Sequence, residues 1–496
     1  MGQSSSRSGP VVSGRRWLAL VVLCTGVLMI ILDQTIVNVA LPSIQGDLGF
    51  SQSSLAWVVN AYLIAFGGIL LLAGRLGDLV GRKRIFITGL AVFTAASLLC
   101  GVSGSQGLLI AARFVQGVGG AMSSAVALGM IVTIFSEPRE QAKAIGIYSF
   151  TASAGASIGL LAGGVLTQAI NWHWIFFVNL PIGAAAAALS LRLVEADDGI
   201  GLGEGADVAG AFLVTAALML GVYTIVETTE YGWGSAHTLA FGAVAALLLA
   251  GFVARQATAI NPLLPLRIFR SRNVSGANLI QFLMVAGMLG FFFLSTLYLR
   301  RVLGLHPLAI GLAFLPIAVA IGTLSLGWSA RLNTRFGARA VLLAGLALIG
   351  SGLALLTRAP VESAHVVDLL PGMLLLGIGG GLSFPALMTL GMSGATPSDS
   401  GLASGLLNTT AQVGAALGLA VLATLAASRT DGLLSNGESM ASALTGGYRL
   451  AFGIGAGLVI AAIVTAVIVL RPGAAQLGPV VASEPPPAEG DRSEAA

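Results

Sequence analysis

The chain has 496 residues, of which 56% are hydrophobic and only 9% charged, against roughly 25% charge in a soluble domain. Its formal charge of +4 comes from basic residues in short loops, which is not the signature of a nucleic-acid surface. Two cysteines, Cys24 and Cys100, both lie inside apolar stretches, arguing against a disulfide framework and against a metal site.

The polar start MGQSSSRSGPVVSGRR, residues 1–16, runs directly into a full-length apolar stretch, so it is expected to be a cytoplasmic tail and not a cleaved signal. About fourteen stretches of near twenty residues follow. They fall at about 17–41, 54–74, 85–103, 107–134, 143–168, 174–194, 208–227, 237–255, 275–299, 308–330, 339–357, 367–391, 402–426 and 449–470. Backbone in lipid must satisfy its own hydrogen bonds, so each stretch reads as a spanning α-helix. The expected fold class is an all-α membrane protein with fourteen transmembrane helices. The loop EADDGIGLGEGAD, 195–207, reads as a cytoplasmic linker, and the Pro-, Ala-, Glu- and Ser-rich tail 472–496 reads as disordered.

Orientation follows from the basic residues. With both termini inside, 19 of the 25 Lys and Arg are cytoplasmic, 5 are external and Arg113 remains in the membrane. Trp17 and Trp328 fall near inner ends, and Trp57, Trp172, Trp174 and Trp233 near outer ends, as interfacial aromatic belts require.

An internal repeat is visible. GVGGA at 117–121 returns as GIGGG at 377–381, Gly155 and Gly159 as Gly414 and Gly418, and GRLGDLVGRK at 74–83 as ARLNTRFGAR at 330–339. Near-constant offsets over three separate helices divide the chain into an N-terminal six-helix half (17–194) and a C-terminal half (273–471). The region 195–272 then holds a linker and two inserted helices. Two related halves around a central cavity are a recurring transporter plan.

Charge inside a span is costly and marks function. Asp33 in helix 1 and Arg113 in helix 4 lie roughly 12 and 10 Å below the outer ends of their helices, a matching depth expected of an ion pair. Gln116, Gly117 and Gly120 share a face with Arg113. The repeat has Met373 opposite Arg113, so the charge is not a general architectural need. Gln34, Asn38, Asn60, Tyr62, Gln116, Gln281, Asn408 and Gln412 are candidate cavity residues, with ordinary interhelical hydrogen bonding an equal reading for each. No phosphate-binding Gly-x-x-x-x-Gly-Lys-Ser/Thr segment and no nucleophile–base arrangement occurs, so neither an ATP-driven pump nor an enzyme is expected.

Four motifs carry a specific resemblance: GRLGDLVGRKR at 74–84, LIAARFVQGVGGA at 109–121, LDQTIVNVALP at 32–42 and WHWIFFVNLPIG at 172–183. On these, the chain resembles the major facilitator superfamily, in its fourteen-helix branch of drug:proton antiporters. The resemblance covers about residues 15–472. It implies a proton-coupled exporter of hydrophobic drugs or antibiotics in the bacterial plasma membrane, monomeric, without cofactor, metal or nucleic-acid partner. It also implies that Asp33 and Arg113 couple protons. The loop Gly74, Gly77, Asp78, Gly81, Arg82, Lys83 and Arg84 would gate, Asp78 contacting the other half when the cytoplasmic side is shut. Gly155, Gly159, Gly163 and Gly164 fit the family's antiporter motif, but Leu160 replaces the proline that supplies its usual kink. Export of an endogenous metabolite, lipid, siderophore or peptide is the alternative within transport. A non-transporting membrane sensor or scaffold is the alternative from another class.

Overall fold

Apolar stretches rich in Leu, Ala and Val leave the backbone one economical solution in lipid, and the computed structural model is helical nearly throughout. It describes residues 10–470 except 136, 196, 198, 200, 202–206, 361–365 and 394–399. The expected tail at 472–496, and most of that at 1–16, lie outside the described residues.

The first seven helices are α1 (Pro10–Leu48), α2 (Trp57–Val80), α3 (Arg82–Gly101), α4 (Gln106–Ile134), α5 (Pro138–Ala169), α6 (Trp174–Phe177) and α7 (Asn179–Leu193). Next come α8 (Val208–Tyr231) and α9 (Ala236–Thr258). The remainder are α10 (Arg272–Arg301), α11 (Pro307–Thr323), α12 (Ser329–Phe336), α13 (Ala338–Leu356), α14 (Val366–Met392), α15 (Ser400–Ser435) and α16 (Met440–Val469).

Among the described residues, 12 helices are long and apolar enough to cross a membrane. The other two expected spans, at 143–168 and 308–330, fall on α5 and on α11. The latter is only 17 residues long because a π-helical turn, Leu324–Trp328, separates it from α12. A second difference lies at the outer side. The loop expected between residues 426 and 449 is almost wholly helical, because α15 continues to Ser435 and α16 begins at Met440. Polar residues lower the hydropathy there, but Ala and Leu sustain a helix beyond the hydrocarbon. Ser439 caps the new start by accepting from Ser442 N–H at 3.3 Å.

Helices α1 to α7 pack among themselves, as do α10 to α16, and the two groups meet chiefly through α2 with α15, α5 with α11 and α1 with α10. α8 lies against α2 and α15, and α9 lies on α8 with Leu239 and Leu247 pointing outward. At the foot of this pair, burial pushes the Asp207 carboxyl up. Arg255, the Gly210 N–H and Gln256 outweigh that and hold it below its ordinary value.

The glycine contacts repeat between the groups. A Cβ on Gly119 would stand 2.8 Å from Gly89 O, and one on Gly379 2.5 Å from Gly345 O. Gly117 lies against Tyr62 O of α2, and Gly377 against Ile317 O of α11. Gly159 faces Leu32 of α1, and Gly418 faces Ala286 of α10. These are backbone-to-backbone approaches that any side chain would block.

Candidate functional site

The site lies where α1, α2, α3, α4 and α7 meet. Asp33 is wholly buried and Arg113 is 1% exposed. Arg113 Nη1 donates to Asp33 Oδ2 at 2.6 Å. The same Nη1 reaches Gln116 Oε1 at 2.5 Å, one turn along α4. Its Nε donates to the Val58 carbonyl of α2 at 3.0 Å. The guanidinium carbon lies 4.4 Å from the Tyr62 ring centre and 5.7 Å from that of Phe176, so two aromatic faces cover the cation.

The second carboxylate oxygen is held by neutral amides. Asp33 Oδ1 accepts from Gln116 Nε2 at 2.8 Å and from Asn179 Nδ2 at 2.9 Å. Both amide nitrogens also donate to Ser97 Oγ, at 2.6 and 3.1 Å. Cys100 Sγ lies 3.7 Å from Gln116 Oε1. Two buried charges are tolerated only when paired and hydrogen-bonded, and each oxygen of Asp33 has a partner here. Chemically, the arrangement is a carboxylate held out of water between one guanidinium and two neutral amides.

Close packing places Asp33. On α5, Gly155 lies against Leu28 and Ile31, Gly159 against Leu32 and Thr35, and Gly163 against Ile36, all on α1 around the acid. Gly164 faces the other way, onto Pro307 and Leu308 of α11, and Gln168 Oε1 accepts from Leu308 N–H at 3.2 Å. Leu160, standing where the family has proline, lies within an uninterrupted α5, and its carbonyl meets Gly311 of α11.

Other cavity candidates are dispersed. Gln34 Nε2 donates to Tyr62 Oη at 3.4 Å, and Asn38 bonds back to Gln34 O at 3.2 Å. Asn60 is fully buried with neither amide atom partnered among the described residues. Gln281 is buried on α10, whereas Asn408 is exposed and Gln412 half-buried on α15. Gln412 lies against Gly67 of α2, at the contact between the two groups of helices.

The signature loop forms the turn from α2 into α3. Gly81 has φ of 108°, a conformation side chains disfavour. Asp78 Oδ1 accepts from Arg82 Nη2 at 3.0 Å and Nε at 3.3 Å, and Arg82 Nη1 donates to Thr133 Oγ1 at 3.1 Å. Lys83 Nζ donates to Leu191 O, and Arg84 bonds weakly to Val80 O at 3.5 Å. Gly77 packs on Val126, whereas Gly74 has open space. Asp197 of the linker caps α3: its Oδ2 accepts from Arg82 N–H at 2.8 Å and its Oδ1 from Lys83 N–H at 3.2 Å. Its backbone carbonyl occupies the space a Gly81 side chain would need.

Sequence reasoning missed Asn179, Ser97 and Asp197. Asn179 lay in the quoted segment WHWIFFVNLPIG, the one amide in an otherwise apolar helix start. Asp197 lay in a loop read only as a linker.

Among the described residues, twelve apolar helices of spanning length and a buried, hydrogen-bonded ion pair define a polytopic membrane protein with charge in its core. Residues 23–419 match the family model of the Major Facilitator Superfamily, and the chain belongs to that family. It is 37% identical to the puromycin resistance protein pur8 of Streptomyces alboniger, over 94% of this chain and 93% of that one. It is 39% identical to the cephamycin export protein CmcT of Amycolatopsis lactamdurans, over 84% and 86%. Its fold is similar to that of a bacterial homolog of the human lysosomal transporter Spinster, solved in an inward-facing and unoccupied conformation. The TM-score is 0.66 at 16% identity, covering 91% of this chain and 96% of that one.

Proposed function

We propose that this protein exports hydrophobic drugs or antibiotics across a bacterial plasma membrane, driven by protons moving inward. The observation that carries the reading is the buried Asp33–Arg113 pair, in a chain 37–39% identical to proteins named for antibiotic resistance and export. A proton crossing 100 mV contributes about 2.3 kcal/mol, and one pH unit about 1.4 kcal/mol more. Asp33 takes the proton, and Arg113 biases when it can. Few acids line the core, which favours neutral lipophiles and monocations as substrates.

The halves, 17–194 and 273–471, alternate about the α2–α15 and α5–α11 contacts. α5 and the α11–α12 rod complete fourteen crossings, and both termini are cytoplasmic, as the basic-residue bias requires. The pair α8–α9 is an insert outside the halves, and the functional unit is a monomer. Asp78 gates: here it pairs with Arg82 in its own half, and it reaches the opposite half when the cytoplasmic side shuts. Gln34, Asn38, Asn60, Tyr62, Gln281, Asn408 and Gln412 face substrate at different stages.

The test is resistance and efflux in a pump-deficient host with a panel of antibiotics, followed by proton flux per substrate in proteoliposomes. Substrate-linked proton flux supports the reading. Expression at the membrane without efflux or proton flux for any compound returns the chain to the sensor or scaffold class.

A further inference from the structure

We propose that Asn179 is a positioning residue that holds Asp33 in both of its protonation states, donating to the carboxylate and, after a half-turn of its amide, accepting from the carboxylic acid. The inference rests on Asp33 being the proton carrier.

A carboxylate only accepts hydrogen bonds, so the amide nitrogen must be the atom of Asn179 that faces Asp33. That leaves Asn179 Oδ1 turned away, and it is buried with no partner among the described residues. An unpaired buried carbonyl is costly and calls for an explanation. Its neighbour Gln116 differs. Both ends of that amide are engaged, Nε2 by Asp33 and Ser97, Oε1 by Arg113 and Cys100. Gln116 cannot turn without breaking the contact to Arg113. Asn179 can turn, giving up its donation to Asp33 Oδ1 and to Ser97 Oγ, a hydroxyl that can donate in return.

When Asp33 gains a proton it becomes a donor and requires an acceptor. Of the two amides bonded to it, only Asn179 has an oxygen to spare. Rotation about its terminal bond exchanges Nδ2 and Oδ1 in nearly the same volume. Asp33 therefore keeps a partner in both charge states without moving a helix, the unpartnered end of the Asn179 amide passing from Oδ1 to Nδ2, and Ser97 Oγ can donate or accept to follow the change.

The local anchoring supports a small, confined motion. Asn179 is the first residue of α7, directly after the short α6. That segment is tied to α1 at its outer end, where Trp172 Nε1 donates to Asp47 Oδ2 at 2.9 Å. Phe176 is wholly buried beside Arg113. The backbone leading into Asn179 is thus anchored, and the proposed motion is confined to the terminal bond of its amide. The charged and titratable groups facing Asp33 are Arg113 of α4, Tyr62 of α2 and Cys100 of α3. No other such side chain of the described residues bonds or pairs with it.

The experiment uses the full-length protein in proteoliposomes. The carboxyl stretch of Asp33 is titrated by difference infrared spectroscopy and assigned by its loss in Asp33→Asn. In Asn179→Leu the anion loses a donor and the acid loses an acceptor. The two losses oppose, but the bond to the charged form is the stronger, so the titration midpoint should rise by about one pH unit, a tenfold change in the protonation equilibrium. The carbonyl band of protonated Asp33 should move to higher frequency. Asn179→Ser, whose hydroxyl donates or accepts, should fall between Leu and wild type in both readouts. The pH profile of gradient-driven transport should move with the band. Where Leu does not insert stably, Asn179→Ala carries the same expectation. A midpoint and band unchanged in Leu or Ala, with proton coupling intact, overturns the role of Asn179 alone. Proton flux unchanged in Asp33→Asn overturns instead the assignment of Asp33 as carrier.

Discussion

The two halves share their packing but not their polar core. In the N-terminal half, α4 approaches α2 and α3 through Gly117 and Gly119; in the C-terminal half, α14 approaches α11 and α13 through Gly377 and Gly379. Gly155 against Leu28 and Gly159 against Leu32 correspond to Gly414 against Phe282 and Gly418 against Ala286. In both pairings the α10 residue follows its α1 counterpart by 254 positions, which carries Asp33 to Gly287. Arg113 likewise corresponds to Met373, which is fully buried. Where Asp33 meets Asn179 of α7, Gly287 meets the Gly455 carbonyl of α16, its Cβ position 2.9 Å away. The fold therefore closes without a buried charge, and the C-terminal half shows how. The Asp33–Arg113 pair is an addition to an architecture that does not require it.

The largest effect should come from removing the acid. Asp33→Asn makes the N-terminal half neutral at the position proposed to carry the proton, like its counterpart Gly287. Proton flux per substrate should fall to background in proteoliposomes with an imposed pH gradient, while downhill substrate movement persists. Full coupling in this variant would falsify the functional reading of the comparison.

Arg113→Met copies the C-terminal residue. Alone, it leaves Asp33 buried with two amide donors but no cation, and the protein should lose about 3–5 kcal/mol or the acid should remain protonated. The double variant Asp33→Asn with Arg113→Met removes both charges and should recover most of the thermal stability without recovering coupling. Should the double variant be as unstable as the single one, the pair would be structural after all.

Hydropathy made most of the fold legible, because lipid leaves a twenty-residue apolar stretch few alternatives to a helix. It failed where hydropathy and helix end separately. α15 and α16 run on past the hydrocarbon, and α11 is short because its rod changes to π-helical geometry at Leu324. Asp33 and Arg113 were legible because a charge in an apolar run is rare and expensive. Ser97 and Asn179 were not, since neutral polar residues are common in spans and only tertiary packing decides which of them meet. Asp197 was hidden for a different reason. An acidic loop residue is ordinarily solvated, and nothing in the chain between residues 84 and 197 shows that this one returns to the start of α3.

The glycine contacts allow a finer separation of packing from function. Alanine at Gly159 or at Gly418 forces a Cβ onto neighbouring backbone, 2.8 Å from Leu32 O in one half and 2.6 Å from Ala286 O in the other. Both should cost about 1–3 kcal/mol of stability. Only Gly159→Ala displaces the turn of α1 that carries Asp33, so only it should also shift the pH dependence of transport. Equal pH profiles in the two variants would place the glycines purely in packing.

The smallest effect concerns the turns that begin α3 and α13. Gly81 and Gly337 are repeat counterparts with φ of 108° and 83°, so alanine is strained at both, by about 1 kcal/mol or more. Their surroundings differ. A side chain at Gly337 meets nothing within 4 Å, whereas one at Gly81 meets the Asp197 backbone carbonyl at 2.5 Å. Asp197 also caps α3 through two N–H groups, a contribution of about 0.5–2 kcal/mol. Gly81→Ala should therefore cost more than Gly337→Ala, the excess measuring the linker's dock on the signature loop. Asp197→Ala, which removes the cap but keeps the backbone carbonyl, should lower thermal stability by the cap alone. In the Asp197→Ala background the penalty of Gly81→Ala should shrink towards that of Gly337→Ala, because a released linker no longer fills the space. A Gly81 penalty unaffected by Asp197→Ala would show that backbone strain, and not the linker, sets the cost of that turn.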